Sequence, residues 1–107
     1  MSTGTNSSSF FYPGLMSITH EPDHSRYVYR DDAGAVAGEV EYVRQGDVLM
    51  LVKAEIWPER QGQGLGGMLV RETLEMIRDE GHGKIQAVCP FIVKYLMKNP
   101  EFQELQA

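Results

Sequence analysis

Two polar turns too short to hold a crossover join three consecutive β signals, and this spacing narrows the possible folds more than any other feature of the chain. The runs are Tyr27 to Arg30, Ala35 to Arg44 and Val48 to Ile56, linked by Asp31-Asp32-Ala33-Gly34 and Gln45-Gly46-Asp47. Links of that length permit only antiparallel neighbours, so the spacing predicts a meander. The third run carries Leu49, Met50, Leu51 and Val52 in succession, which predicts cover on both faces and a central place in the sheet. In the second run Val36, Val40 and Tyr42 alternate with smaller or charged residues.

After Trp57-Pro58 the pattern changes. Gly62, Gly64, Gly66 and Gly67 crowd together, and Leu65, Met68, Leu69, Met76 and Ile77 then recur at helical spacing up to Glu80, where Gly81 stops the element. Ile85 to Cys89 reads as another strand. A helix between two strands of one sheet imposes a right-handed crossover, so this strand is expected to run parallel to Val48–Ile56. Pro90 opens a short final helix through Lys98, with Ile92, Val93, Leu96 and Met97 as its apolar residues. The fold class is therefore α+β: an antiparallel meander of three strands, then a β-α-β crossover with one parallel strand pair and a short C-terminal helix.

A chain of 107 residues holds one core. Residues 1–25 read as a flexible leader. Met1 to Met16 are rich in Ser, Thr and Gly around Phe10, Phe11 and Tyr12, and Ser17 to Ser25 form an approach segment without regular spacing. The folded domain is expected over 26–107. Ten Lys and Arg against fifteen Asp and Glu give a net charge of −5, the wrong sign for neutralising many phosphates, which argues against nucleic acid as a partner. The single cysteine fits a reducing compartment and closes no internal disulfide. No aliphatic run exceeds Val48 to Val52, so no membrane partner is expected and the reading is cytoplasmic.

The glycine cluster carries the chemistry. A helix entrance usually has Ser, Thr, Asp or Asn to accept from its free amides, but here it reads Arg60-Gln61-Gly62-Gln63-Gly64-Leu65-Gly66-Gly67. Interior glycine costs a helix on the order of 1 kcal/mol relative to alanine, so helix stability does not explain the cluster. Close approach of an anion does. A pyrophosphate would meet convergent N–H groups and the positive end of the helix dipole, with Arg60 adding charge. The structural alternative is a turn that lets helix and strand pack tightly. No Lys-Ser or Lys-Thr follows the glycines, so a P-loop is excluded. Gly62, Gly64 and Gly67 match the dinucleotide pattern, but the next strand ends in Val88-Cys89 without the required acid, and NAD is set aside.

The order meander, glycine loop, helix, parallel strand and helix resembles the GNAT acyltransferase superfamily. The acetyl-CoA loop of that superfamily reads Gln or Arg, two free positions, Gly, one free position, then Gly or Ala, and Gln61 to Gly66 fits without a gap. Cys89-Pro90-Phe91, with Asn99-Pro100-Glu101-Phe102 near the end, resembles the minimal GNAT-like branch labelled YjdJ-type. The resemblance spans roughly Arg26 to Leu105. It implies acetyl-CoA as co-substrate and no metal, with Arg60, Gln61, Gly62, Gln63, Gly64, Leu65, Gly66 and Gly67 around the pyrophosphate. It also implies that the backbone from Glu55 through Ile56 and Trp57 pairs with pantetheine, and that the two parallel strands splay to admit that arm. Larger members have helices between their first strands that shape an acceptor pocket, and this chain has a short turn there. The acceptor site is thus shallow or borrowed, which admits a small-molecule or protein amine, and the acidic balance favours a cationic one.

Glu55 and Cys89 are the catalytic candidates. Glu55 stands near the end of the central strand, where a carboxylate can take a proton from an attacking amine, and the alternative is an ordinary strand-end charge. Related sequences of the branch carry His-Thr just before this acid; here Lys53-Ala54 stand there. Cys89 precedes a helix-opening proline, so its thiol sits where an anion is stabilised and can accept an acetyl group, the alternative being a small buried hydrophobe. Tyr95 is expected in the core rather than as a general acid. His20, His24 and His82 assemble no metal site. The sequence reads as an acetyl-CoA-dependent N-acetyltransferase; the competing reading is a non-catalytic acyl-CoA-binding or protein-interaction module.

Overall fold

The computed structural model describes residues 16–81 and 83–107. One five-stranded sheet runs in chain order through β1 (Ser17–Glu21), β2 (Arg26–Arg30), β3 (Val36–Gln45), β4 (Val48–Ile56) and β5 (Lys84–Ala87). The first four strands pair antiparallel and β5 lies parallel to β4. Helix α1 (Leu65–Glu80) makes the crossover and α2 (Pro90–Lys98) follows β5. The α+β class, the meander and the parallel pair are those the sequence predicts.

Gly81 ends α1 in the left-handed region at φ 67°, where its N–H donates to the Ile77 carbonyl and satisfies one of the last free acceptors. The helix buries Leu69, Val70, Leu74 and Ile77 against one face of the sheet. On that face Tyr27 and Tyr29 donate their hydroxyls to Glu80 and Glu72 of α1, at 2.8 and 2.7 Å. Burial, reinforced by the carboxylate partners, pushes both phenols well above the usual tyrosine range. Helix α2 adds Ile92 and Leu96 to the same core.

Residues Ser17–Ser25, expected as part of the leader, are instead the edge strand β1 followed by one 3-10 turn. The meander therefore has four strands. Distant partners hold β1 in place. His20 Nδ1 lies 2.8 Å from Glu80 Oε2, His20 Nε2 lies 2.7 Å from the Tyr42 hydroxyl, and Glu21 accepts from Arg26 and Arg30. These residues are up to 60 positions apart, so local spacing could not reveal the pairing. Phe10, Phe11, Tyr12 and His82 lie outside the described residues.

The apolar run of β4 was expected to have both faces covered, yet Val52 is 37% exposed while Leu49 and Leu51 are buried. Alternation turns Val52 to the face opposite Leu51, and a bulge interrupts the strand there. Tyr42 pairs with Leu51 but Glu41 pairs with Lys53, so Val52 is an extra residue in β4. Before the bulge Leu49 and Leu51 face the helices; after it Ala54 and Ile56 do, while Lys53 and Glu55 point to the opposite face. Consecutive apolar residues here mark a change of parity.

Candidate active site

The parallel ladder opens where the bulge begins. Pairing between β4 and β5 runs from Val48↔Lys84 to Leu51↔Ala87 and stops. Strand β5 is thus shorter than the predicted Ile85–Cys89. Val88 and Cys89 both donate their backbone N–H to the Leu51 carbonyl at 3.0 Å, which draws the chain out of register and into α2. Beyond this fork β4 continues for five residues whose outer edge has no strand partner among the described residues. Trp57 N–H donates to the Ala37 carbonyl at 2.8 Å, so by alternation the backbone groups of Ala54 and Ile56 face the open side. The Ile56 carbonyl accepts from Gln61 Nε2 at 2.9 Å.

This geometry corrects one expectation. The Trp57 N–H is held by Ala37 on the β3 side and its carbonyl accepts from the Arg60 N–H at 2.8 Å, so Trp57 does not present its N–H to the open edge. Ala54, absent from the sequence-derived set, lines the cavity and turns its backbone groups to the open side. Only the bulge makes it visible.

Across the fork stands the entrance of α1. Gly64 is the N-cap residue at φ 74° and Gly62 sits at φ 86°, both in the left-handed region that favours glycine. Among the described residues no side chain caps the helix, so its first amides keep the unmet donor capacity of a helix start. Arg60 Nη1 donates to Asp31 Oδ2 at 3.0 Å, tying the loop to the turn after β2. Its remaining guanidinium donors stay available to an anion.

Between the free edge and the loop lies a cavity of about 430 Å³. Arg60, Gln61, Gly62, Gly64, Leu65, Gly66 and Gly67 form one wall, and Ala54, Glu55 and Ile56 another. Leu69 and Phe91 close the apolar end. Of the residues expected to bind cofactor, Gln63 and Trp57 do not line this cavity. Phe91, half-exposed at the start of α2, joins the cavity from the Cys-Pro-Phe motif.

Glu55 lines the cavity and its side chain is 39% exposed. Its nearest charge is Lys53 Nζ at 3.1 Å, and the same ammonium lies 3.6 Å from Glu41 and 3.9 Å from Glu39. The Glu55 hydrogen bond above all, then the surrounding carboxylates, holds the Lys53 ammonium above its ordinary pKa. Glu39, opposite Glu55 in the ladder and almost fully buried, accepts from Arg26 at 3.0 Å. Burial and its hydrogen bond with Glu41 nevertheless push its carboxyl above the usual range.

Cys89 is the N-cap residue of α2, as expected, but it is 9% exposed, belongs to the core cluster and does not line the cavity. Tyr95 packs against the core with its ring 6.3 Å from Phe102. Among the described residues no helix is long and apolar enough to cross a membrane.

The sequence profile described as GCN5-related N-acetyl-transferase matches residues 26–105. No curated protein sequence matches the chain. In three dimensions the chain is similar to a GCN5-like candidate N-acetyltransferase from Staphylococcus aureus, with a TM-score of 0.62 and 23% identity over 85% of this chain and 87% of that one. It is also similar to a GNAT family N-acetyltransferase from Escherichia coli in complex with CoA, with a TM-score of 0.53 and 16% identity over 70% of this chain and 62% of that one. These likenesses establish the fold. The profile match over most of the length, together with the open fork beside an uncapped glycine loop, shows that the chain belongs to the GCN5-related N-acetyltransferase family, an enzyme family of acetyl transfer.

Proposed function

We propose that this protein transfers an acetyl group from acetyl-CoA to a cationic amine, within the minimal Cys-Pro-Phe branch of its family and in the cytoplasm. The observation that carries the reading is the parting of β4 from β5 after Leu51↔Ala87, directly beside helix amides that no side chain caps. The residues present fit a CoA thioester. The amides of Gly62 to Gly67 and the free donors of Arg60 suit its pyrophosphate, and Gln61 fixes the loop against Ile56. The open edge at Ala54 and Ile56 offers hydrogen bonds to the amide-bearing arm, and Leu65, Leu69 and Phe91 give it apolar contact.

Bound acetyl-CoA supplies an activated acyl group; the chain supplies position and a proton acceptor. Glu55 is accessible, with its side chain 39% exposed, whereas Cys89 is almost fully buried, which favours direct attack by the amine with Glu55 as base over a two-step route through the Cys89 thiol. A cationic acceptor, whether polyamine or protein lysine, suits the accessible carboxylates of Glu41 and Glu55 on the face opposite the helices.

Isothermal calorimetry with acetyl-CoA and CoA tests the foundation. Micromolar binding is expected, and no heat at high micromolar ligand would overturn the reading. A screen of polyamines and lysine peptides then reads transfer; binding with no transfer to any amine would favour the non-catalytic module.

A further inference from the structure

Lys53 reaches its nearest carboxylate, Glu55, at 3.1 Å, two residues past the fork where the ladder opens, and its side chain is 48% exposed. Three carboxylates surround one ammonium there, on the face that the acceptor is proposed to use. The chain thus already presents a primary amine beside the candidate base. On the strength of this juxtaposition, and resting on the acetyl-CoA reading above, we infer that Lys53 is an acceptor of the protein's own acetyl transfer, a self-modification site.

The chemistry balances without any further reactant. Lys53 begins as an ammonium and passes one proton to the Glu55 carboxylate, from which it reaches solvent. The freed nitrogen forms a bond to the thioester carbonyl carbon, the carbon–sulfur bond breaks, and CoA leaves as a thiolate. The second nitrogen proton goes to that thiolate. The products are Nε-acetyl-Lys53 and free CoA. Lys53, Glu55, Glu39 and Glu41 are the charged groups at this point, with Arg26 bound to Glu39. Acetylation removes the one cation that these carboxylates share at Nζ, and the chain becomes more negative by one charge.

Lys84, Lys94 and Lys98 serve as internal controls. Lys84, paired with Val48 at the opposite end of the β4–β5 ladder, donates its Nζ to the Glu104 carbonyl, and Lys94 and Lys98 are exposed on α2. None neighbours Glu55. Positioned intramolecular attack exceeds random encounter by well over an order of magnitude, so marking at Lys53 is expected at least about tenfold faster than at these three.

The test incubates the full chain with acetyl-CoA and no added amine, and follows intact mass, isoelectric focusing and peptide mapping, with calorimetry of CoA binding on the same sample. One acetyl group should map to Lys53, with a rate independent of protein concentration and rising with pH as the amine is freed. Lys53→Arg should keep CoA binding and lose the mark, and Glu55→Gln should slow marking at Lys53. Hydroxylamine, which cleaves a thioester on Cys89, should leave it intact. CoA binding with an unmarked Lys53, with equal marking of all four lysines, or with a rate that grows with protein concentration would overturn the inference and leave the acetyltransferase reading standing. Absence of CoA binding would overturn both.

Discussion

The ring of Phe91 lies against Gly66: a Cβ built at position 66 would stand 3.1 Å from Phe91 Cζ. A glycine in the first turn of α1 thus lets a residue on α2 approach the loop, and together they shape the closed end of the cavity. Gly66→Ala should push the ring aside by a few tenths of an ångström. Phe91 is 46% exposed and free to yield, so stability should change by less than about 1 kcal/mol. CoA affinity should fall about tenfold, roughly 1.4 kcal/mol. In a Phe91→Ala background the same change should have little further effect; calorimetry on the four proteins checks this, and equal losses in both backgrounds would refute the contact.

Gly38 meets a harder neighbour. A Cβ there would come within 2.4 Å of the Glu55 carbonyl oxygen and 2.7 Å of Ile56 Cδ1. Backbone cannot swing away as a ring can. Gly38→Ala should destabilise by more than about 3 kcal/mol, because the β3–β4 pairing must shift where Glu55 is presented. Urea denaturation measures this, and a loss below about 1 kcal/mol would contradict the register Glu39↔Glu55.

Asp31 organises the turn after β2 and the loop together. Its carboxylate accepts from the Ala35 N–H at 2.9 Å, the Ala33 N–H at 3.0 Å and Arg60 at 3.0 Å. The Ala35 amide first, then Arg60 and Ala33, holds the carboxyl below its ordinary value. A depressed carboxyl stabilises the fold above its unfolded pKa, and that contribution is lost as pH falls through the folded one. Asp31→Ala should lower the melting temperature at neutral pH and progressively less in acid. Thermal melts across the acid range should show the two proteins converge.

Glu39 should behave with the opposite sign. Its carboxyl is raised from the ordinary 4.5, chiefly by burial, so folding favours the protonated form. The associated stability is present below the unfolded pKa and drains away as pH rises through the folded one. Relative to Glu39→Gln, whose amide oxygen can still accept from Arg26, the unaltered protein should lose stability as pH climbs from acid toward neutral. Parallel curves for the two would show that Glu39 titrates normally.

Cys89→Ser should lower stability by about 1 kcal/mol, as expected for a polar swap at a buried position. Turnover should persist. Intact mass after incubation with acetyl-CoA distinguishes the routes: a thioester adduct in the unaltered protein, absent from Cys89→Ser together with its turnover, would move the nucleophile to Cys89.

The glycine spacing from Gln61 to Gly67, the helix up to Gly81 and the short turns of the meander were legible because each obeys a local rule of backbone conformation or period. So was the parallel placement of β5, since chirality leaves a crossover helix little choice. Strand β1 was not legible, because its anchors, Tyr42 and Glu80, lie far along the chain from His20. Neither was the bulge at Val52, since an unbroken apolar run looks alike whether both faces are covered or parity switches within it. That switch turns Lys53 and Glu55 away from the helices and opens the edge at Ala54 and Ile56. The sequence by itself determined the elements from β2 onward, because short-range sterics and hydrophobic period act within a few residues. Where the ladder parts, and which side chains stand beside the opening, was decided by pairing between residues distant in the chain, and only the tertiary structure sets those contacts.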